Sequence, residues 1–344
     1  MPDTDKLALL HKDLADRVEA LRTGDQWRRM LDFASRMHTY SLSNILLIQA
    51  QWKARLHRGE VTSPSPGPVA GYHTWRRLGR NVIRGQKGLA IIAPTVHEDR
   101  FAKQPDATIR RLGTGEHPHP GEELVRGDRT VRGFKIEHVY ALSQTDGAPL
   151  PTVPEPQQLT GAAPRGMIDG LISYAEGCDF RIERAASAAD LGDADGRTDF
   201  AARIITVRSD MEDAAIATTL AHEVGQVLLH DPERDGARIA HRGVGEVEAE
   251  SVAHLLAAAH GLDTSADSLP YVAGWLGTTK EPAETISATA NRVIDAAHQV
   301  LCALDTVQFG DGRPPGIDHA RPHRETGLDE TPPVGLLRGI EPGP

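Results

Sequence analysis

The sequence predicts an α+β fold in two modules: an N-terminal α+β unit, then a mainly helical unit with a small β-sheet. Three observations carry that prediction. Apolar residues recur at helical spacing at the start of both halves, short alternating runs follow them, and a proline-rich break separates the two. With 344 residues the chain is long enough to bury two cores of ordinary size. The expected boundaries are 1–145 for the first unit, 146–164 for a linker, 165–305 for the second unit and 306–344 for a disordered tail.

From Asp5 to Met37, Leu7, Leu10, Leu14, Val18 and Leu21 fall three or four apart, which predicts one or two amphipathic helices. Another helix follows over Asn44–Trp52. Pro64, Pro66 and Pro68 then force an extended segment, because proline fixes φ and restricts the residue before it. Val69–Tyr72 and Leu89–Pro94 read as strands, with Gly85-Gln86-Lys87-Gly88 as a turn between them. Residues 97–130 are polar and aperiodic, the pattern of a loop or insertion, and Val131–Ser143 alternates as a returning strand. Thr145–Pro164 holds five prolines and predicts the linker. In the second unit a helix over Gly166–Gly177 precedes strands at Phe180–Arg184 and Phe200–Val207. Three helices follow, over Met211–His230, Glu246–Gly261 and 282–304. Ser209 and Glu212 have the spacing of a capping box at the start of the first of these, and Asp231-Pro232 marks its end. Beyond Thr306 the chain is rich in Pro, Gly and Arg, with His319 and His323 scattered through it.

Charge is unevenly distributed. The whole chain carries a net charge of −10, yet residues 1–150 hold 23 Lys+Arg against 17 Asp+Glu. That excess points to a polyanionic partner for the front half, with a solvated basic face as the plainer alternative. Cys178 and Cys302 are too few for a disulfide framework and lack the spacing of a metal knuckle, consistent with thiols in a reducing cytosol. The first thirty residues lack the apolar core of a secretion signal. No run approaches the roughly 20 apolar residues of a membrane span, so a soluble cytoplasmic protein is expected.

The sharpest chemical signal is Ala221-His222-Glu223-Val224-Gly225-Gln226-Val227-Leu228-Leu229-His230. His222, Glu223 and Gln226 occupy the places of His, Glu and His in the H-E-x-x-H pattern of zinc metallopeptidases. Positions i and i+4 share one helix face and can hold one ion, while the intervening Glu can act as general base on a bound water. Gln226 weakens such a site, because an amide oxygen is a poor zinc ligand beside an imidazole. On the next helix Glu246 and Glu250 share a face, and by spacing either can supply a third, carboxylate ligand. The plainer reading is acidic residues favoured in a first helical turn. His230 lies two turns beyond His222, too far to share an ion, and reads as a helix-terminal residue facing the last carbonyls. His241 and His254 read as surface or packing residues.

In the front half, Trp75, Arg76, Arg77, Arg80, Arg84 and Lys87 interleave a ring with cations over a short span, and Tyr40, Trp52 and Tyr72 offer further rings. Stacking surfaces set among phosphate-neutralising groups suit single-stranded nucleic acid. The alternative for Trp52, Tyr72 and Trp75 is a place in the core.

Several separated segments resemble a known family. Tyr40-Ser-Leu-Ser-Asn-Ile-Leu-Leu-Ile-Gln, Gly71-Tyr-His-Thr-Trp-Arg-Arg-Leu-Gly-Arg, Gly85-Gln-Lys-Gly and Val139-Tyr-Ala-Leu-Ser-Gln-Thr resemble the N-terminal domain of ArdC-type antirestriction proteins. His222-Glu-Val-Gly-Gln-Val-Leu-Leu-His and Glu246-Val-Glu-Ala-Glu-Ser-Val-Ala resemble the ImmA/IrrE-like metallopeptidase domain that follows it there. The resemblance covers about residues 10–305. It implies single-stranded DNA as the partner of the first unit. For the second it implies a zincin fold with zinc as cofactor, His222 and Glu246 as ligands and Glu223 as general base. Gln226 departs from the family at the second histidine. Three functions stay open: a single-stranded DNA-binding, antirestriction-like protein of a mobile element or its host with a degenerate metal site; an active zinc endopeptidase acting on a protein substrate; and a non-catalytic interaction scaffold.

Overall fold

The computed structural model describes residues 3–106, 108–113, 115–150, 161–192, 194–235, 242–262 and 282–315. Most of the expected linker, His241 and the tail beyond 315 lie outside them. The fold is α+β. Helices α1 (Asp3–Ala20), α2 (Gly24–Ala34) and α3 (Leu42–His57) come first, as the apolar spacing predicts. Strand β1 (Val69–Gly71) stops one residue early, and Tyr72 opens a short helix, α4 (Tyr72–Arg77), that the sequence does not announce.

The main sheet runs β1-β5-β3-β4, with β3 (Leu89–Lys103) and β5 (Glu123–Ala141) antiparallel and β4 (Ile109–Arg111) on the far edge. The expected loop over 97–130 is therefore corrected: much of it is strand. Its alternation is hidden because charge pairs occupy the strand faces. Arg111 on β4 bonds Asp99 on β3 and Arg126 on β5 reaches Glu98 on β3 at 3.5 Å, while Arg110 bonds Glu116 and Glu122 in the connection between β4 and β5. Such pairs stabilise adjacent strands without an apolar signature. A second ladder joins β2 (Arg80–Val82) to β6 (Thr145–Gly147).

Helix α3 also closes the edge of β3. The Asn44 amide donates to Ile92 O and accepts from Ile92 N, both at 2.9 Å. The Gln51 amide does the same for Ala90, again at 2.9 Å, and Arg55 donates to the carbonyls of Lys87 and Gly88. Spaced seven and four residues apart, these side chains lie along one helix face and satisfy backbone groups that a neighbouring strand would otherwise hold.

The second half opens with α5 (Met167–Glu176). A three-stranded sheet of order β7-β9-β8 follows, with β7 (Arg181–Ala185) parallel and β8 (Gly196–Asp199) antiparallel to β9 (Ile204–Arg208). Helix α6 (Asp213–His230) then leads through α7 (Pro232–Asp235) to α8 (Arg242–Ala259) and α9 (Pro282–Ala303). The expected capping box does not form. Ser209 Oγ donates instead to Ala185 O at 2.9 Å, tying the end of β9 to β7, and Glu212 caps α6 without a side-chain bond.

One apolar core runs through both halves, from Leu14, Trp27 and Ile45 through Leu220, Leu255 and Val293. Trp27 Nε1 donates to Ser251 Oγ at 2.9 Å, and His254 Nε2 to Asp32 Oδ1 at 2.8 Å, pinning α2 to α8. Residues 306–315, expected to belong to the disordered tail, are bound to the body. Phe309 N donates to Ala259 O at 2.7 Å, Thr39 Oγ1 to Asp311 O at 2.9 Å, and Val69 N to Gly312 O at 2.8 Å. Gly312 has φ +97°, and a Cβ there would lie 2.7 Å from Met37 Sδ, so glycine is required at this crossing. No helix among the described residues is long and apolar enough to cross a membrane.

Candidate functional site

Helix α6 is long and apolar on the faces turned to α5, α8 and the small sheet, with Ile216, Leu220, Val224 and Val227 buried. Gly225 lets α8 approach closely: a Cβ at Gly225 would sit 3.2 Å from Ala249 Cα and from Val252 Cβ. Two small residues facing each other bring the polar residues beside them together, His222 and Gln226 on α6 and Glu246 and Glu250 on α8.

Those four side chains converge. His222 Nδ1 donates to Glu250 Oε2 at 3.1 Å, while His222 Nε2 faces Glu246 Oε2 at 3.6 Å. The Gln226 amide nitrogen lies 3.4 Å from His222 Nε2 and 3.4 Å from Glu246 Oε1. Burial opposes charge on the His222 ring. The Glu250 hydrogen bond and the carboxylates of Glu223, Glu250 and Glu246 outweigh it, so its pKa lies above the usual imidazole value. Glu223 is buried beside it, and Thr198 Oγ1 donates to its Oε2 at 2.6 Å. Burial raises the Glu223 pKa, against the opposing effects of the Thr198 bond and of His222.

Thr198 lies on β8, which runs against α6 at Gly196. A Cβ at Gly196 would sit 2.9 Å from Glu223 Oε1 and 2.6 Å from Thr219 Cγ2. Thr198 and Gly196 are absent from the sequence reading, since they stand far from His222 in the chain and nothing local marks them. His230, expected at the helix end, has a carboxylate partner that its position in the chain does not announce: its Nε2 lies 3.4 Å from Glu248 Oε2, and Arg292 Nε lies 3.3 Å from Glu248 Oε1. Among the described residues no three His, Cys, Asp or Glu side chains form a metal-holding group.

The candidate nucleic-acid residues divide by burial. Trp75 is 0% and Trp52 2% exposed. Their indoles donate to Tyr140 O and Ser63 O, each at 2.9 Å, so both rings serve the core and the stacking role expected of them is corrected. Tyr40 is largely enclosed, with its hydroxyl donating to Val69 O at 3.0 Å. Arg80 is spent inside the protein, where it donates to Thr145 Oγ1 and to the carbonyls of Thr145 and Ala148. Tyr72, 45% exposed, stays on the surface together with Arg76, Arg77, Arg84 and Lys87. Trp75 anchors the helix that carries the first three, and Gln144 Nε2 holds the turn carrying the other two by donating to Lys87 O and Gln86 Oε1. Ile83, 43% exposed, lies between the two groups in the chain.

Residues 10–137 match the family model described as the N-terminal domain of anti-restriction factor ArdC. This ArdC-like segment contains every candidate nucleic-acid residue. Two similar solved structures are the ArdC antirestriction protein of plasmid R388. Its Mn(II)-bound form is 20% identical, with 85% of this chain and 97% of that one covered at a TM-score of 0.46. Its metal-free form is 18% identical, with 76% and 85% covered at 0.40. An uncharacterized Bacillus anthracis protein is 23% identical over 317 residues, covering 86% of this chain, which spans about half that relative's length (51%).

Proposed function

We propose that this chain is an antirestriction-like protein that binds single-stranded DNA through its ArdC-like segment and carries a metallopeptidase-like site weakened at Gln226. The match over residues 10–137 carries the first part. The exposed side chains of Tyr72, Arg76, Arg77, Arg84 and Lys87 supply the chemistry: one ring for a base and four cations for phosphates. Duplex DNA hides its base faces in the stack, so a surface that combines a ring with cations favours the single strand.

Fluorescence anisotropy with a labelled oligothymidylate, repeated over a salt series, tests this. Each phosphate contact on a single strand contributes about −0.7 to the slope of log affinity against log salt. Replacing Arg76, Arg77, Arg84 and Lys87 together by Ala is expected to flatten the slope by roughly 3 and to weaken binding at low salt by at least tenfold. An unchanged slope would place the binding surface elsewhere.

The convergence of His222, Glu246 and Gln226 supports a residual cation site. One imidazole, one carboxylate and one amide fit a divalent ion, but the neutral amide makes the set weak for zinc and relatively better for an oxygen-seeking ion such as manganese. His222 Nε2, Glu246 and Gln226 would hold the ion, which when bound supplies an acidified water and polarises a peptide carbonyl. Glu223 would accept the proton, a role supported by the Thr198 bond to its Oε2 and by the burial that raises its pKa. A protein is the matching class of substrate or partner. After exhaustive dialysis, elemental analysis is expected to find little zinc in the parent and close to one equivalent in Gln226→His. Near-stoichiometric zinc in the parent would overturn the weakened-site reading and favour an active peptidase.

A further inference from the structure

We infer that Glu250 is a positioning residue for His222, and that it acts by fixing which ring nitrogen is left free rather than by binding a cation itself. The inference rests on the cation-site reading above. By spacing alone Glu246 and Glu250 are equivalent, four residues apart on one face of α8. The structure separates them by the nitrogen each one meets. Glu250 Oε2 takes the Nδ1–H of His222 at 3.1 Å, on the side of the ring away from Gln226. Glu246 lies on the other side, where its Oε2 is 3.6 Å from Nε2 and its Oε1 is 3.4 Å from the Gln226 amide nitrogen. A proton held on Nδ1 leaves the Nε2 lone pair directed at Glu246 and Gln226. The Gln226 amide, 3.4 Å from that nitrogen, can meet it through its NH2 or, turned over, through its oxygen, so it does not choose between the tautomers. The Glu250 contact is thus the one that selects the tautomer.

A carboxylate on the far nitrogen of a histidine orients the ring and raises its basicity as a ligand, and losing it typically costs 10–100-fold in affinity. The Glu250 side chain is 28% exposed against 53% for Glu246, in keeping with a role behind the ring rather than at its open face.

The test has two readouts. The first needs no metal: long-range 1H–15N correlation spectra of the metal-free protein report the His222 tautomer at a pH where the ring is neutral. The parent and Glu246→Ala are expected to show protonated Nδ1. Glu250→Ala is expected to revert toward the Nε2–H form that free imidazole prefers, and Glu250→Gln, whose amide oxygen can still accept, to keep much of the parent signature. The second readout is zinc affinity in the Gln226→His background. Glu250→Ala is expected to weaken it 10–100-fold and Glu246→Ala to abolish stoichiometric binding. An unchanged tautomer in Glu250→Ala overturns the inference whatever the metal does, and if zinc is also lost completely, Glu250 is a ligand. If the tautomer shifts as expected while no variant binds metal, the positioning role stands and the cation-site reading falls.

Discussion

Glu246, Glu248 and Glu250 stand two residues apart on α8, and a helical turn of about 100° per residue sends the middle one to the opposite side. Glu248 is 2% exposed and meets His230 and Arg292, the latter also donating to Leu229 O at 2.7 Å. Removing a guanidinium from a buried carboxylate typically costs 3–5 kcal/mol. Arg292→Met is therefore expected to lower unfolding stability by about 3 kcal/mol, measured by urea titration, with no change in DNA affinity. Tyr40 makes a pH prediction. Burial, opposed by Arg313 and assisted by Asp311, holds its phenol up to about 12, against 10.0 for a free one. A proton held more tightly in the folded state stabilises fully below pH 10 and loses that contribution as pH rises through about 12. Urea titrations between pH 9 and 12 should show this loss in the parent and a flatter profile in Tyr40→Phe. At this scale the sequence was most legible where a motif fixes spacing, as with His222, Glu223 and Gln226. It was least legible for partners distant in the chain: Thr198 on Glu223, or Glu248 on His230. Trp52 and Trp75 show the same limit, because one residue type serves a core or a base equally well and only burial decides.

At the level of elements, the long α6 and α9 were readable because an apolar face repeats over several turns. Of the β3–β5 pair only the inner ends were, as strands over Leu89–Pro94 and Val131–Ser143, while the outer half was not. Its strands place charged pairs where alternation would normally show, so the pairing is specified across the sheet rather than along the chain. Helix α3 makes up for the open edge of β3, and this can be tested. Asn44→Ala strips partners from Ile92 N and O, and Gln51→Ala does so for Ala90. Each substitution is expected to cost 1–3 kcal/mol, toward the lower end where water can reach the freed groups. Chemical denaturation of the two single variants and the double variant would check it. A loss well under 0.5 kcal/mol in both single variants would mean the ladder is incidental.

Across the whole molecule, the proposed division at 145–165 follows the proline-rich break, yet the apolar core continues from α1–α3 into α8 and α9. A fragment comprising residues 1–145 would expose Leu14, Val18, Trp27 and Ile45 to water, and a chain so cut is expected to aggregate or to unfold without a cooperative transition. The full protein should instead melt in one calorimetric step whose enthalpy matches the van't Hoff value. The bond from Val69 N to Gly312 O has a further implication for how the protein is made. A ribosome adds about 5–20 residues per second, so β1 is made roughly 12–48 seconds before its partner at Gly312. Throughout that interval the nascent front half has neither residues 306–315 nor α9 to cover it, and it is during translation, more than in the finished molecule, that a chaperone would find this chain.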